Sequence, residues 1–570
     1  MKTLNLHVDY IKWQALKKAL KSMPDLTEKE KEPKEAKEAL VVLTAVEKND
    51  SLETLPQYLQ NIKDIAKQVN TNTIVLYPYA HLSKELGPPN TAIKILEEAE
   101  KELKKQKFKV HRSPFGYYKT FELKVKGHPL SELSREIVIE GDEEADITEK
   151  ERERMLKEIS KSRLDTSKLK ENDHRIIGRK MDLWSFNEVA PGMVFWHDKG
   201  LHIKNKLIDF WREMHRKADY QEISTPLIMD KKLWEISGHW KLYKENMFTT
   251  KYEKRDFAVK PMNCPGGMLV YKNSPKSYKD LPLRVGEIGM VHRQELSGTL
   301  AGLFRVNQFT QDDAHIFCTK KQLHKEIIDV VELFRNVIST FGFKDFRYTL
   351  SVRSDKKKEK YLGNDKIWAS SEKALSEGLE TLGIKFEKME GEAKFYGPSL
   401  DLLIKDSLGR EWQCATLQLD FALPERFGLI YKDEKGKEQT PFMLHRVIFG
   451  SLERFIGVLT EQVNGKFPLW LSPNQIKVLT MSDKSDKYAE EITNKLKEQG
   501  LRVELDTRNE SIGKKVREAS IQRFNYLITV GENEMKEKTI AVKIPDKKEI
   551  TTMKLDNFIE RIKKEVGGKI

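Results

Sequence analysis

The chain has 570 residues, which excludes a single small binding module and, at roughly 150 residues per domain, allows three or four separate cores. Apolar residues make up 39% and charged residues 33%, the composition of a folded, soluble chain and not of a disordered one. Lys plus Arg number 101 against 88 Asp plus Glu, and the resulting net charge of +13 suits a polyanionic partner, with nucleic acid the first expectation.

At the amino terminus Leu4, Leu6 and Val8 alternate with Asn5, His7 and Asp9, the period of a half-buried strand. Apolar runs at 41–46 and 74–77, separated by helix-period segments, extend this to an α/β domain over 1–140, with a last strand at 137–139. The Lys/Glu-rich segment 27–39 reads as an exposed loop and helix start. Between 141 and 180, 22 of forty residues are charged and none is aromatic, which predicts a solvated, charged helical linker. Aromatics and prolines return at Trp184, and irregular alternation of strand and helix signals predicts one α+β core over 181–471. Within it 284–295 and 303–309 read as strand, loop, strand. Strand signals at 476–480, 501–505, 526–530 and 540–544 predict a compact α/β domain over 472–570. The three cysteines, Cys264, Cys318 and Cys414, support no disulfide framework, and no run approaches eighteen apolar residues. A cytoplasmic protein without membrane contact is expected.

Arg293, Glu295 and Arg305 fall around the loop expected near residue 300. Fixed guanidinium groups suit a reaction that develops charge on a phosphate, because arginine offers a rigid donor fork. Further segments add specificity: Pro226 within the apolar run 223–228, Met262-Asn263-Cys264-Pro265-Gly266, Thr310-Gln311-Asp312-Asp313-Ala314-His315, Trp412-Gln413-Cys414, Thr416-Leu417-Gln418-Leu419-Asp420, His445-Arg446 and Gly450-Ser451-Leu452-Glu453-Arg454-Phe455. Together with 284–309 these resemble the threonyl-tRNA synthetases, a family of class II aminoacyl-tRNA synthetases built on an antiparallel-sheet catalytic core.

The resemblance implies one Zn2+ per subunit held by Cys264, His315 and His445, a one-Cys, two-His set that leaves a position open. Spacing alone does not reveal it, since the ligands are scattered along the chain. It implies that Asp313 accepts the threonine hydroxyl proton, with Gln311, Tyr396 and Met262 around the amino acid. For ATP it implies Arg293, Arg305 and Arg454 on the phosphates as catalytic groups, Glu295 on the adenine, Gln413, Thr416 and Gln418 close by, and Mg2+ bridging the phosphates. A metal has a chemical reason here. An apolar pocket separates threonine from its isostere valine only about a hundredfold, whereas chelation through both amino group and hydroxyl excludes valine. Serine can chelate too, and its missing methyl is worth only about 1–3 kcal/mol, so a hydrolytic second site is needed.

That second site has its own resemblance. His7-Val8-Asp9-Tyr10, Tyr77-Pro78-Tyr79-Ala80-His81-Leu82-Ser83, Pro114-Phe115-Gly116-Tyr117-Tyr118-Lys119 and Gly127-His128-Pro129-Leu130-Ser131-Glu132-Leu133 are similar to the editing domain of archaeal threonyl-tRNA synthetases, akin in fold to D-aminoacyl-tRNA deacylases. This implies that His81, Tyr118, Lys119 and Glu132 line a pocket that hydrolyses seryl esters. Arg508-Asn509-Glu510, Ile512-Gly513 and Lys514-Lys515 resemble the anticodon-binding domain of class II synthetases, with Asn509, Glu534 and Lys543 at base-reading positions. Gly267, Asn307-Gln308 and Ala415 depart from the commoner family residues.

The implied function is ATP-dependent attachment of L-threonine to tRNA(Thr) through threonyl-adenylate, with hydrolytic editing of seryl-tRNA(Thr), by a homodimer formed across the first motif. Two alternatives remain at this level: an editing-only or regulatory tRNA-binding paralogue lacking synthesis, and another class II synthetase such as prolyl or histidyl. The intact arginines oppose the first, and the Cys264, His315 and His445 set opposes the second.

Overall fold

The computed structural model describes residues 1–20, 23–137, 149–159, 169–406 and 409–569. The chain divides into two units, Met1–Arg152 and Glu153–Ile570.

The first unit is built on strands β1 (Lys2–Lys18), β2 (Lys34–Ala45), β3 (Thr73–Pro78), β4 (Lys109–Arg112), β5 (Tyr117–Val125) and β6 (Glu132–Glu136). Their order is β4-β3-β2-β1-β5, with β6 also on β1. β1 is long enough to pair with β6 over Lys2 to Leu6 and with β5 from Val8 onward. β2, β3 and β4 run parallel, so helices must make the crossovers. Those are α1 (Leu55–Gln68) and α2 (Pro89–Lys105). Each turns a helix-period stripe, Tyr58, Ile62 and Ile65 or Ile95, Ala99 and Leu103, onto Leu40, Val42, Ile74 and Leu76 of one sheet face. Val8, Ile11, Trp13, Val41, Val75 and Tyr77 form a second cluster on the other face.

One expectation for this unit changes. Residues 34–39 are strand and not loop, because the small Ala36 and Ala39 turn inward while their charged neighbours face out. Of the strand expected at 137–139, Ile137 extends the pairing of β6 with β1, donating its N–H to Met1 O at 2.8 Å and accepting from the Met1 amino group at 3.0 Å, and 138–139 lie outside the described residues.

Of the stretch 141–180, α3 (Glu149–Ile159) is a helix with exposed described side chains, as its charge predicts. Residues 141–148 and 160–168 lie outside the described residues. The stretch ends differently from a solvated linker: α4 (His174–Lys180) buries His174, Ile177 and Gly178.

The second unit centres on an eight-stranded sheet of β7 (Gln221–Glu222), β8 (Leu283–His292), β9 (Gln308–Cys318), β10 (Phe346–Val352), β11 (Phe386–Glu390), β12 (Ser399–Lys405), β13 (Glu411–Asp420) and β14 (Phe442–Val447). The order is β11-β10-β12-β13-β14-β9-β8-β7, antiparallel except for the outermost pair at each edge. The strand expected at 303–309 starts only at Gln308. Its preceding backbone spends its hydrogen bonds elsewhere: Leu303 N–H on the His174 ring and Asn307 N–H on Gly192 O. Ile316, Leu400, Leu417, Leu419 and Leu444 cover one sheet face, against α7 (Leu323–Thr340), α8 (Asp365–Thr381) and α9 (Leu452–Gln462). The opposite face carries the polar side chains described below, as the two-residue period requires.

The carboxyl-terminal part of this unit is a five-stranded sheet of β15 (Ile476–Thr480), β16 (Val503–Asp506), β17 (Tyr526–Val530), β18 (Ile540–Lys543) and β19 (Ile550–Met553), ordered β16-β15-β17-β18-β19. β19 is a short edge strand with Ile550, Thr551 and Thr552 exposed, so no apolar alternation marked it. α5 (Asp198–Lys217) joins this part to the core at both of its ends: Asp198 pairs with Arg502, Lys199 with Glu504 at 3.0 Å, and Glu213 with Lys569 at 2.9 Å. No helix among the described residues is long and apolar enough to cross a membrane.

Gly200, in the first turn of α5, lets that helix lie on the backbone of Leu183; a Cβ there would sit 1.9 Å from Leu183 O. Gly200→Ala is expected to destabilise the second unit by about 1–3 kcal/mol, since backbone and not a flexible side chain must move. Gly513→Ala, where a Cβ meets nothing within 4 Å, is expected to be neutral or slightly stabilising. Calorimetric midpoints of the two variants check the difference.

Candidate active site and metal centre

Register builds the site. His315 on β9 lies opposite His445 on β14, His445 opposite Gln418 on β13, and Gln418 opposite Ser399 on β12. Antiparallel partners point to the same face, so these four side chains form one row across the sheet. Asp313, two residues before His315, and Asp420, two after Gln418, share that face. Cys264 comes to the row from the first turn of α6 (Cys264–Lys272).

The ligand atoms of Cys264, His315 and His445 all lie within 4.8 Å of one another, and all three residues are buried. The histidine rings meet edge-on at 5.0 Å. His315 Nε2 is buried without a hydrogen-bond partner, an orphan that a bound cation satisfies. His445 Nε2 is held at 2.8 Å from Asp420 Oδ2, the carboxylate–imidazole pairing that orients a metal-binding histidine. Burial, with His445 beside it, pushes His315 down to about 3, which keeps the ring neutral. Burial, then the Asp313 and Asp420 carboxylates, pushes the Cys264 thiol well above its usual range. One sulfur and two imidazoles suit a divalent transition metal. Gly267, one of the departures, stands where a Cβ would touch His315 Nδ1 at 3.4 Å.

Asp313 is buried, its Oδ2 accepting from Asn263 Nδ2 at 3.2 Å, and burial raises its carboxyl. Tyr396 donates its hydroxyl to Gln418 Oε1 at 2.6 Å, and its ring lies 5.4 Å from that of His445. Gln418 therefore lies beside His445 of the triad as well as bonding Tyr396. Gln311 Oε1 is buried without a partner, and Met262 packs in the same apolar cluster as Tyr396.

Three arginines and Glu295 converge nearby. Arg293 donates Nε to Pro261 O at 3.1 Å, Arg305 pairs with Glu295 at 3.3 Å, and Arg454 donates Nε to Phe304 O at 3.0 Å. Burial lowers Arg454, and the charges of Arg305 and Arg293 add to the effect, which places the three guanidinium groups in one electrostatic neighbourhood. That concentration of cation fits an anion better than water. Asn307 ties the loop down, accepting from Glu295 N at 2.9 Å and donating to Pro191 O at 2.9 Å. Gln413 and Thr416 converge instead on Asp401, with Thr416 Oγ1 2.6 Å from Asp401 Oδ1.

Three supporting groups escape motif reading. Asp420 orients His445. Asp312 turns to the opposite face from Asp313 and accepts the N–H groups of Ile448 and Gly450 at 2.8 and 2.9 Å, burial lifting it to about 7. Lys204 of α5 makes a buried pair with Glu453 at 2.9 Å, whose other oxygen accepts Thr310 N–H at 2.7 Å. Strand period is the signal for Asp312 and Asp420; nothing in the sequence marks Lys204.

In the first unit a cavity of about 580 Å³ is lined by His81, Tyr118 and Lys119, together with Tyr77, Tyr79 and Phe115. Lys119 Nζ donates to Pro114 O at 2.8 Å and lies 4.5 Å from the Tyr77 ring centre; burial lowers it to about 8. Glu132 does not line the cavity; it is exposed on β6, opposite Leu6. In the carboxyl-terminal part Asn509 is exposed in the turn before α10 (Ile512–Ile521), Glu534 accepts Gly531 N–H at 2.9 Å, and Lys543 ends β18.

Comparison with known proteins agrees with this layout. Residues 1–137 match the archaea-specific editing domain of threonyl-tRNA synthetase, 248–463 the class II tRNA synthetase core domain, and 475–565 the anticodon binding domain. A threonine-tRNA ligase from Clostridium novyi is 48% identical over 400 residues, 70% of this chain and 62% of that relative's length. A crystal structure described as the RNA binding domain of threonyl-tRNA synthetase from Cryptosporidium parvum is 38% identical with a TM-score of 0.67, covering 69% of this chain and 98% of that one. A prolyl-tRNA synthetase structure from the same organism, 16% identical with a TM-score of 0.53 and covering 69% of this chain and 75% of its own, shares the fold. With a solved relative of this identity matched over nearly its whole length, the chain belongs to the threonyl-tRNA synthetase family.

Proposed function

We propose that the protein attaches L-threonine to tRNA(Thr) at the expense of ATP and hydrolyses seryl-tRNA(Thr) in its first unit. The observation that carries the reading is the buried Cys264, His315 and His445 triad on the same sheet face as Asp313 and next to Arg293, Arg305 and Arg454. In the first step the threonine carboxylate attacks the ATP α-phosphate and pyrophosphate leaves. Arg293, Arg305 and Arg454 hold the phosphates and stabilise the charge that develops there, while Glu295, paired with Arg305, offers a carboxylate oxygen to the adenine amino group. Asp313 takes the threonine hydroxyl as a hydrogen-bond donor, and Tyr396 and Gln311 offer polar atoms to the rest of the amino acid. In the second step the 3′-hydroxyl of the tRNA terminal adenosine attacks the adenylate carbonyl, and AMP leaves.

Cys264, His315 and His445 would hold Zn2+, which fits the donor set and would supply a Lewis acid selective for an amino acid that offers a hydroxyl beside its amino group, as valine does not. Mg2+ with ATP supplies charge neutralisation of the phosphates. In the first unit Lys119 keeps its proton in most molecules at neutral pH and offers N–H donors inside the cavity, where His81 and Tyr118 can orient the seryl ester. Asn509, Glu534 and Lys543 serve the anticodon. Exposed Leu227, Ile228, Ile236, Leu269 and Val270, on neighbouring elements around Pro226, support a homodimer across this surface. Three buried free cysteines suit a cytoplasmic location.

The charging assay is incorporation of labelled threonine into tRNA(Thr); no incorporation by metal-replete protein would sink the reading. Cys264→Ser is expected to lose bound zinc by elemental analysis and threonine activation with it, since a thiolate ligand is gone. Asp420→Asn is expected to weaken metal affinity by about 10–100-fold in a chelator competition while the protein stays folded. His81→Ala and Lys119→Ala are expected to leave threonine charging intact while seryl-tRNA(Thr) accumulates. Undiminished clearance of the seryl ester by both variants would contradict the editing assignment.

A further inference from the structure

The loop between β8 and β9 carries Arg305, and its outer part is open, with Leu296 79% exposed. Its inner arm is gripped from α4. His174 is fully buried; its Nε2 accepts Leu303 N–H at 3.0 Å, and its Nδ1 lies 2.7 Å from Glu461 Oε1. A ring nitrogen that accepts from a backbone N–H carries no proton, so Nδ1 is the protonated nitrogen and donates to Glu461. Glu461, near the end of α9, also accepts His174 N–H at 3.0 Å and pairs with Arg410 through its other oxygen. Arg410 in turn holds Asp406 at 2.7 Å, and Asp406 accepts Trp412 Nε1 at 2.8 Å.

The ring of Phe304 contacts the rings of both His174 and Trp412, with centroids 4.1 and 4.3 Å away. Its carbonyl accepts Arg454 Nε at 3.0 Å. Gly302 adopts φ +55°, and a Cβ there would lie 2.4 Å from His174 Nε2, so the loop approaches the ring as closely as only glycine permits. Asp173, His174 and Glu461 hold ligand atoms within 4.8 Å of one another, but each is engaged within the protein, Asp173 by the Arg175 guanidinium at 2.9 and 2.7 Å. The cluster is a hydrogen-bonded lock and not a second metal centre.

We propose that His174 is a positioning residue for the nucleotide site: fixed by Glu461, its ring holds Leu303 and Phe304 so that Arg305 and Arg454 face the same phosphates. This rests on the reading of those arginines as phosphate-binding groups. The chain's entry into the second unit thereby becomes part of the nucleotide site.

The test uses the full chain carrying His174→Ala or His174→Gln, with two readouts. The first is amide hydrogen exchange without ligand, read by mass spectrometry. His174→Ala is expected to speed exchange of peptides covering 296–307 by about tenfold while β9 peptides keep their protection. The second is threonine-dependent ATP–pyrophosphate exchange. There His174→Ala is expected to raise KM for ATP by about tenfold, as for loss of a buried hydrogen bond, with KM for threonine changed less than about twofold. His174→Gln, whose carboxamide oxygen can accept Leu303 N–H, is expected to recover most of both effects. Unchanged exchange at 296–307, a rise spread equally over β9, or equal shifts in both KM values would overturn the proposal. A wild-type protein without threonine-dependent exchange would instead overturn the nucleotide reading, and the hydrogen-exchange arm would still decide the lock.

Discussion

The cross-strand register of β9, β14 and β13 is the constraint on which the rest of the second unit depends. Pairing His315 with His445 and His445 with Gln418 fixes which side chains share a face, and a slip of one residue would send the entire row into the apolar core. The opposite face enforces that register, because Ile316, Leu417, Leu419 and Leu444 must meet α7, α8 and α9. Core packing therefore positions the polar row. Asp420 completes this by holding the His445 ring in one orientation.

A second layer of buried charge holds the loops that the sheet cannot reach. Asp312 gathers the N–H groups of residues 448–450 and Glu453 gathers Thr310 N–H, so the start of α9 is bound to β9 at two points. Lys204 balances Glu453, and α5, which carries Lys204, is paired at both ends with the carboxyl-terminal sheet. Buried pairs of this kind add little net stability, but breaking one leaves an uncompensated charge, which makes the geometry they hold hard to lose. Arg454, in the first turn of α9, inherits that rigidity.

Much of this was legible in the sequence, for reasons that differ by residue. Alternation showed the start of β1, and short apolar runs showed the strands at 476–480 and 526–530 because both of their faces are buried. The motif segments around Cys264, His315 and His445 pointed to a triad that spacing could not show, since only folding brings α6, β9 and β14 together. The charged run ending in α4 was misleading because His174 and Ile177 are buried among neighbours that stay charged and exposed. Residues 303–307 resembled a strand by composition, yet their backbone donors serve His174 and Gly192. Glu132 matched a motif whose companions His81, Tyr118 and Lys119 line a cavity it does not reach, because β6 pairs with the far end of β1 from β5.

Under the proposed function the two units divide one chemical problem. A site that recognises an amino group and a hydroxyl through a metal rejects valine well and serine poorly, and the smaller side chain must be removed afterwards. The measurement that tests this account most directly is ATP–pyrophosphate exchange by metal-quantified protein with threonine, serine and valine side by side, before and after chelation. The account predicts exchange with threonine, weaker exchange with serine, almost none with valine, and loss of all of it when zinc is removed. Comparable exchange with valine, or exchange with threonine that survives removal of the metal, would contradict it.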